Sequence, residues 1–273
     1  MCPNCRAFID ASDKTCPYCG EKVGPRAIDV RSPRDVLGGF IPHARFVTVM
    51  ILLVNAALYV ATALFSMRSG NDNAFMNIDG ETLFYFGAKH PLGVYNGQWW
   101  RLITAGFLHG GLFHIAMNSW VLFDLGAQVE ELFEWPRMVV FYFLSTVAGF
   151  AASVWFSPAL SVGASAGLFG FIGVMLAVGV KRRDAMGAAI RGLYIRWIIY
   201  VTLIGFLFNI DHYAHFGGLA AGFLASYFSG EPRIGRSDTP WKVAAYLCLV
   251  ITGLAFLNMY VWFSSIARQS PVG

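Results

Sequence analysis

Residues 162–170 read VGASAGLFG. Ser165 stands between two glycines, Gly163 and Gly167, and the chain that follows is almost purely apolar as far as Val180. Lys181, Arg182 and Arg183 close that run. A helix opening at Ser165 therefore has about 16 apolar residues and, at about 1.5 Å per residue, covers roughly 24 Å. The hydrocarbon core of a bilayer is roughly 30 Å thick. With the basic end held at one surface, Ser165 is predicted to lie sunk below the other. The preceding residues, SPALSVGA at 157–164, would then be irregular chain at membrane depth, which is tolerated only beside protein or a water-filled cavity. At a helix N-terminus, unpaired backbone N–H groups and the helix dipole favour negative charge. The Ser165 hydroxyl and its own amide are thus candidates for a nucleophile and an oxyanion donor.

Composition puts the whole chain in the same setting. The 273 residues are 56% hydrophobic, 16% aromatic and only 13% charged, whereas a soluble domain carries about 25% charged residues. Seven apolar spans are predicted, at about 46–67, 112–129, 138–156, 165–180, 194–209, 214–229 and 243–264. The fold class expected is an all-α, multi-pass membrane protein. The stretch 68–111 is too apolar for a plain hydrophilic loop, and Trp99, Trp100 and Arg101 are expected at headgroup level. Lys and Arg are concentrated in the connections 181–196 and 230–242 and absent from 157–164 and 210–213. The positive-inside rule then puts the N-terminus in the cytoplasm and the C-terminus outside. A bacterial inner (plasma) membrane is the expected location.

The first 19 residues hold four of the five cysteines, Cys2 and Cys5 in CPNC and Cys16 and Cys19 in CPYC. Two CxxC knuckles can complete a tetrahedral shell, so residues 1–24 are predicted to be a zinc ribbon with structural zinc on these four thiolates. The alternative, a redox or disulfide pair, is disfavoured by the duplicated knuckle and a reducing cytosol. The N-terminus lacks the short apolar region of a signal peptide. Residues 25–44 read as a linker, and 231–273 as a cytoplasmic loop, a seventh transmembrane helix and a short outer tail. No basic aromatic surface occurs in 1–24, which argues against nucleic acid. The ribbon's partner is not specified by the sequence.

Ionisable groups within membrane spans are costly and each is a functional candidate. His215, in AHFGGLAAG, enters its span from the same side as Ser165. Gly218 and Gly222 form a small-xxx-small stripe, and Gly167, Gly170 and Gly173 offer a complementary face. Ser165 and His215 are therefore expected to be neighbours, as nucleophile and base. His114 and Asn118 lie four apart on one helical face, suited either to an oxyanion or to a polar interhelical clamp. His109 and His212 are expected to make structural hydrogen bonds. Asp211, one turn before His215, is a weaker candidate for an orienting carboxylate. Asp124 needs a partner, expected in a neighbouring helix. Glu130 and Glu131, with Arg137, read as a solvated turn.

Taken in order, WWRLITAGFLH, HIAMN, GAQVE (Gly126 to Glu130), GASAGLFGFIG and AHFGGLAAG resemble the rhomboid family of intramembrane serine proteases across residues 45–230. The resemblance implies a six-helix core, here with one extra C-terminal helix, and a catalytic dyad of Ser165 and His215. It implies an oxyanion hole from His114, Asn118 and the Ser165 amide, and supporting roles for Trp100, Arg101, Gly163, Phe169 and Gly218. Phe169 falls where the family sets an aromatic against the histidine. Ala166 stands where many members have glycine, with Gly167 one place later. Implied partners are transmembrane protein substrates within the lipid bilayer, and no cofactor is implied for catalysis. Two other readings stay open: a non-catalytic membrane-protein adaptor, and a metal or solute transporter lined by histidines. The transporter has no HExxH motif to support it.

Overall fold

The computed structural model describes residues 5, 15–21, 45–207, 210–229 and 238–269. The chain divides into two compact units, Met1–His43 and Ala44–Gly273. In the first unit the described residues form one cysteine knuckle. The Cys16 amide donates to the Glu21 carbonyl at 2.8 Å, and the Gly20 amide donates to the Cys16 carbonyl at 2.9 Å. Gly20 has φ +70°, the left-handed conformation that such a turn requires.

The second unit is helical. Its elements are α1 Phe46–Arg68, the short helices α2 Gly80–Tyr85, α3 Pro91–Tyr95 and α4 Arg101–Thr104, a 3-10 turn at Ala105–Phe107, and α5 Leu112–Val121. A π-helical segment, Leu122–Gly126, joins α5 to α6 Ala127–Phe156. Then follow α7 Ser165–Lys181, α8 Ala185–Leu207, α9 His212–Ser229 and α10 Thr239–Gln269. Among the described residues, four stretches are long and apolar enough to cross a membrane: Phe46–Arg68, Leu112–Phe156, Ala185–Phe206 and Thr239–Ile266. α6 breaks at Glu134, where φ 64° and ψ 163° leave the helical region. The second and third spans are therefore α5 to Phe133 and Trp135 to Phe156. The fifth span begins earlier than the hydropathy pattern indicated. α8 starts at Ala185, so Arg191 and Arg196 lie on the helix, not in a connection. Their long stems let the charges reach a surface while the backbone stays helical.

The core is built around α7. Its residues from Ala166 to Val174 are all buried, and α7 and α9 share the most extensive packing in the chain. Glycines set that proximity. A Cβ on Gly222 would overlap the Gly170 carbonyl, one on Gly173 the Leu219 carbonyl, and one on Gly218 the Ala166 carbonyl. Backbones that meet in this way gain dispersion contacts that larger side chains would block. Gly167 departs from the expected stripe. A side chain there would run into the Tyr142 ring of α6 instead of α9.

Glu130 and Arg137 are not a solvated turn. Glu130 is 3% exposed, and its carboxylate accepts from the Val47 amide at 2.8 Å, the Thr48 amide at 2.9 Å and the Thr48 hydroxyl at 2.8 Å. It satisfies first-turn donors of α1 that no residue of α1 itself could reach. Arg137 is 6% exposed and pairs with Asp238 at 2.7 Å, tying the third span to the start of α10. Only Glu131 of the three is exposed. A charge cluster beside a chain reversal resembles a surface turn in sequence, because its partners lie about 80 and 100 residues away.

The glycine contacts carry a direct test. Gly222→Ala is expected to force α7 and α9 apart and destabilise the protein by about 1–3 kcal/mol, the usual cost of overpacking. Gly253→Ala on α10, where a Cβ meets nothing within 4 Å, is expected to be neutral or slightly stabilising. Thermal unfolding in detergent distinguishes the two. Equal midpoints for both variants would sink the close-packing account.

Candidate active site

α7 begins at Ser165, and no side chain caps its N-terminus. The Leu168 amide donates to the Ala164 carbonyl at 3.0 Å, so the amides of Ser165, Ala166 and Gly167 are the orphan donors of the first turn. The residues before the helix are irregular, as the short span required. Gly163, with φ +133°, makes that approach possible. A Cβ there would lie 2.7 Å from His114 Nε2 and 3.5 Å from Ser165 Oγ. A side chain at residue 163 would run into the His114 ring and lie against the Ser165 hydroxyl.

His215 lies in the first turn of α9 and is 3% exposed. Its ring stacks on Phe169, with centroids 4.0 Å apart and planes at 15°. Phe169 is one turn after Ser165 on α7, so the imidazole is held against the first turns of the helix that the serine opens. Neither His215 ring nitrogen has a hydrogen-bond partner among the described residues, and the Ser165 hydroxyl is accordingly not bonded to it here. Catalytic hydrogen bonds often close only in the complex with substrate.

His114 occupies the first turn of α5. Its Nδ1 accepts from the Gly110 amide at 3.4 Å. That bond leaves the proton of the neutral ring on Nε2, which makes Nε2 a donor toward Gly163 and Ser165. Asn118 is buried, and its Nδ2 donates to the His114 carbonyl at 3.1 Å. One amide hydrogen is thus used within the helix and the second is available to a ligand. The bond is internal to α5, so Asn118 is not an interhelical clamp.

Other expected residues fall elsewhere. Asp211 caps α9: its carboxylate accepts from the Ala214 amide at 3.1 Å and from the Ser153 hydroxyl. It does not orient His215. His109 is fully buried and packs edge-on against His114, with ring centroids 5.2 Å apart. His212 lies 4.4 Å from the Phe206 ring and meets the edge of His215. The ring contacts of both are aromatic, and the Phe107 backbone lies beside the His109 ring. Asp124 is exposed within the π-helical segment. Its partner is Gln128, whose Nε2 donates at 3.1 Å, and Gln128 in turn accepts from Tyr194 of α8 at 3.3 Å.

Trp100 and Arg101 anchor the first loop from inside. Trp99 is 43% exposed, but Trp100 is 4% and Arg101 0% exposed. Arg101 donates to the Phe84 and Ala88 carbonyls at 2.8 and 2.9 Å. Its guanidinium lies 4.2, 4.6 and 4.7 Å from the rings of Phe84, Trp100 and Trp262. Burial pushes its pKa down to about 10, so it stays protonated at neutral pH. A Trp-Arg pair in a membrane-flanking loop reads as a headgroup anchor; the aromatic cage, completed by Trp262 of α10, draws it inward instead.

In the N-terminal unit the sulfur atoms of Cys5, Cys16 and Cys19 all lie within 4.8 Å of one another. Cys5 Sγ and Cys16 Sγ are 3.7 Å apart. Two thiolates on a tetrahedral ion at about 2.3 Å would be about 3.8 Å apart, so this donor set fits such an ion. Cys2, the expected fourth ligand, lies outside the described residues. Among the described residues the histidines of the helical unit form no comparable cluster.

Comparisons with known proteins find similar chains. A family model described as Rhomboid domain matches residues 96–232. The chain is 36% identical over 183 residues to Rhomboid protease GluP of Bacillus subtilis (strain 168), which covers 66% of this chain and 36% of that protein. It is 32% identical over 195 residues to Rhomboid-like protease 2 of Toxoplasma gondii, 69% of this chain and 67% of that one. It is also 35% identical over 160 residues to Inactive RHOMBOID-like protein 8 of Arabidopsis thaliana, 56% and 45% of the two chains. The match thus spans little more than a third of the Bacillus protein's length. The family model spans the helices that carry Ser165, His215, His114 and Asn118, and the chain, an integral membrane protein, belongs to the rhomboid family.

Proposed function

We propose that this protein is an intramembrane serine endopeptidase that cleaves transmembrane segments of membrane proteins. One observation carries the reading. Ser165 opens α7 while His215, held on Phe169, and His114 Nε2, beside Gly163, converge on the same turn. In this reading a substrate helix approaches laterally and unwinds near the outer face, where small or helix-breaking residues lower the cost. Ser165 Oγ attacks the peptide carbonyl and its proton passes to His215. The developing oxyanion is met by the Ser165 amide, His114 Nε2–H and the second hydrogen of Asn118 Nδ2. His215 then protonates the leaving amine, and water hydrolyses the acyl-enzyme. Gly163 and Gly218 act by leaving room, Phe169 by fixing the imidazole plane, and Trp100 with Arg101 by holding the first loop. With Lys181, Arg182 and Arg183 on the cytoplasmic side, the nucleophile faces outward.

The test is covalent labelling in detergent with a fluorophosphonate or isocoumarin probe. Wild type is expected to label and Ser165→Ala not at all. His215→Ala is expected to lose at least about 10³-fold of the cleavage rate, and His114→Ala or Asn118→Ala about 10²- to 10³-fold each, the cost of one oxyanion donor. Equal labelling of wild type and Ser165→Ala, or none of either, would leave the chain a non-catalytic binder, as the name of the Arabidopsis relative would allow.

We further propose that residues 1–24 are a ribbon holding one structural zinc on Cys2, Cys5, Cys16 and Cys19. The ribbon and linker, the core at 45–230 and the C-terminal helix would then be separate modules. Metal binding would supply most of the folding energy of so small a unit. Elemental analysis of the purified chain is expected to give one zinc per molecule, lost in Cys16→Ser with probe labelling unchanged. A zinc-free ribbon that resists proteolysis as well as the loaded one would overturn the assignment.

A further inference from the structure

Lys89 lies between α2 and α3, in the stretch that composition marked only as too apolar for a loop. It is 0% exposed. Its ammonium donates to the carbonyls of Ala159 at 2.7 Å, Ser157 at 3.1 Å and Ser153 at 3.4 Å. These carbonyls belong to the last turn of α6 and the chain leaving it. The carbonyls at a helix C-terminus lack partners of their own and concentrate partial negative charge. A lysine there meets both needs at once.

The backbone of Lys89 makes a second connection. Its amide donates to the Ser161 carbonyl at 2.9 Å, and the Ser161 amide donates back to the Lys89 carbonyl at 3.1 Å. Two residues later the Gly163 amide donates to the Ala105 carbonyl at 2.9 Å. The irregular segment 157–164 is thus fastened along its length, and it ends at Gly163, which must keep clear of His114, and at Ser165. Ser153 supplies the third connection. Its carbonyl accepts from Lys89 while its hydroxyl donates to Asp211. Asp211 caps the helix in which His215 is the fourth residue. Burial lowers the Lys89 pKa, and the Asp211 carboxylate works against that shift. One buried ammonium therefore touches the path to the serine and, through Ser153 and Asp211, the path to the histidine.

We propose that Lys89 is a positioning residue that sets the register of Ser165 against His215, by fastening segment 157–164 to the end of α6 and to the cap of α9. The inference rests on the protease reading for its catalytic consequence. Its structural content stands on the bonds alone. A neutral side chain of similar length leaves the Ser157 and Ala159 carbonyls without this donor, while the Ser153 carbonyl keeps only the Ser157 amide, so the segment relaxes and the nucleophile shifts. Misplacement by about 1 Å costs about 10²-fold in rate. No substrate contact is assigned to Lys89, so substrate binding is not expected to change.

The test uses the full chain in detergent, with Lys89→Met, Lys89→Arg and Ser153→Ala. For Lys89→Met, fluorophosphonate labelling and kcat are expected to fall about 10- to 100-fold, while KM for a transmembrane substrate stays within about threefold and Lys89→Arg recovers part of the rate. A lysine that served stability alone would not split kcat from KM in this way. Hydrogen exchange supplies an arm independent of activity. In Lys89→Met the amides of Ser161 and Gly163 are expected to exchange faster while those of α5 and α10 do not, and Ser153→Ala is expected to speed exchange at Ala214. If Lys89→Met does not fold, Lys89→Arg and Ser153→Ala decide by the same measurements. Wild-type labelling and wild-type exchange in the folded variants would overturn the proposal. A wild type that labels no serine overturns the protease reading, and the exchange arm still rules separately on the fastening.

Discussion

The close approach of α7 and α9 is the constraint on which the other features depend. A membrane offers little hydrophobic drive for helices to associate, so contact must come from shape. Here the shape is backbone against backbone: Gly222 on the Gly170 carbonyl, Gly173 on the Leu219 carbonyl, Gly218 on the Ala166 carbonyl. Side chains at these places would separate the helices by the width of a methyl group or more. Phe169 would then no longer reach His215 at 4.0 Å. The same proximity explains why α7 tolerates being short. Surrounded by α6, α8 and α9, it meets protein from its first turn onward, and Ser161, Gly163 and Ala164 just before it are buried as well.

That packing also explains how the proposed base is oriented without a carboxylate. Asp211 is near enough in sequence to suggest a third member. Its oxygens are already engaged by the Ala214 amide and the Ser153 hydroxyl. The ring of His215 is held by stacking instead, and Phe169 comes from the same helix as the serine. Orientation by an aromatic face fixes the plane of the imidazole but leaves both nitrogens without a hydrogen bond. A dyad of this kind relies on rigid helix placement where a triad relies on a hydrogen bond. This makes the glycine contacts part of the proposed site as well as of the fold.

Much of this was legible in the sequence, for a physical reason. Helix length, the basic stop at Lys181 and the glycine spacings are local properties, and they located Ser165 as the first residue of α7 and the glycine contacts between α7 and α9. Interactions between distant segments were not legible. Glu130 reads as a solvated charge until α1 is found above it, and Arg137 until Asp238 is. Arg101 reads as a headgroup anchor until Trp262, on the last helix, closes its cage. Asp124 was expected to need another helix and reaches Tyr194 of α8 only through Gln128. Gly167 looked like part of the α9 face because the period fits, and only the position of Tyr142 shows that it serves α6.

Three buried charges share one task. Glu130 satisfies the first-turn amides of α1, Lys89 the carbonyls of the chain leaving α6, and Arg101 the carbonyls of Phe84 and Ala88. Each is a buried charge spent on backbone ends that would otherwise point into lipid or protein without a partner. A soluble protein can leave such ends to water. A membrane protein with short helices, broken connections and irregular chain at depth has many more ends to satisfy and less water to do it with. Long charged side chains are well suited to the task, because one group can meet several donors or acceptors at once. Opening a helix on irregular chain, as α7 opens at Ser165, thus goes with loops that carry buried charge, and Lys89 and Arg101 are where this chain carries it.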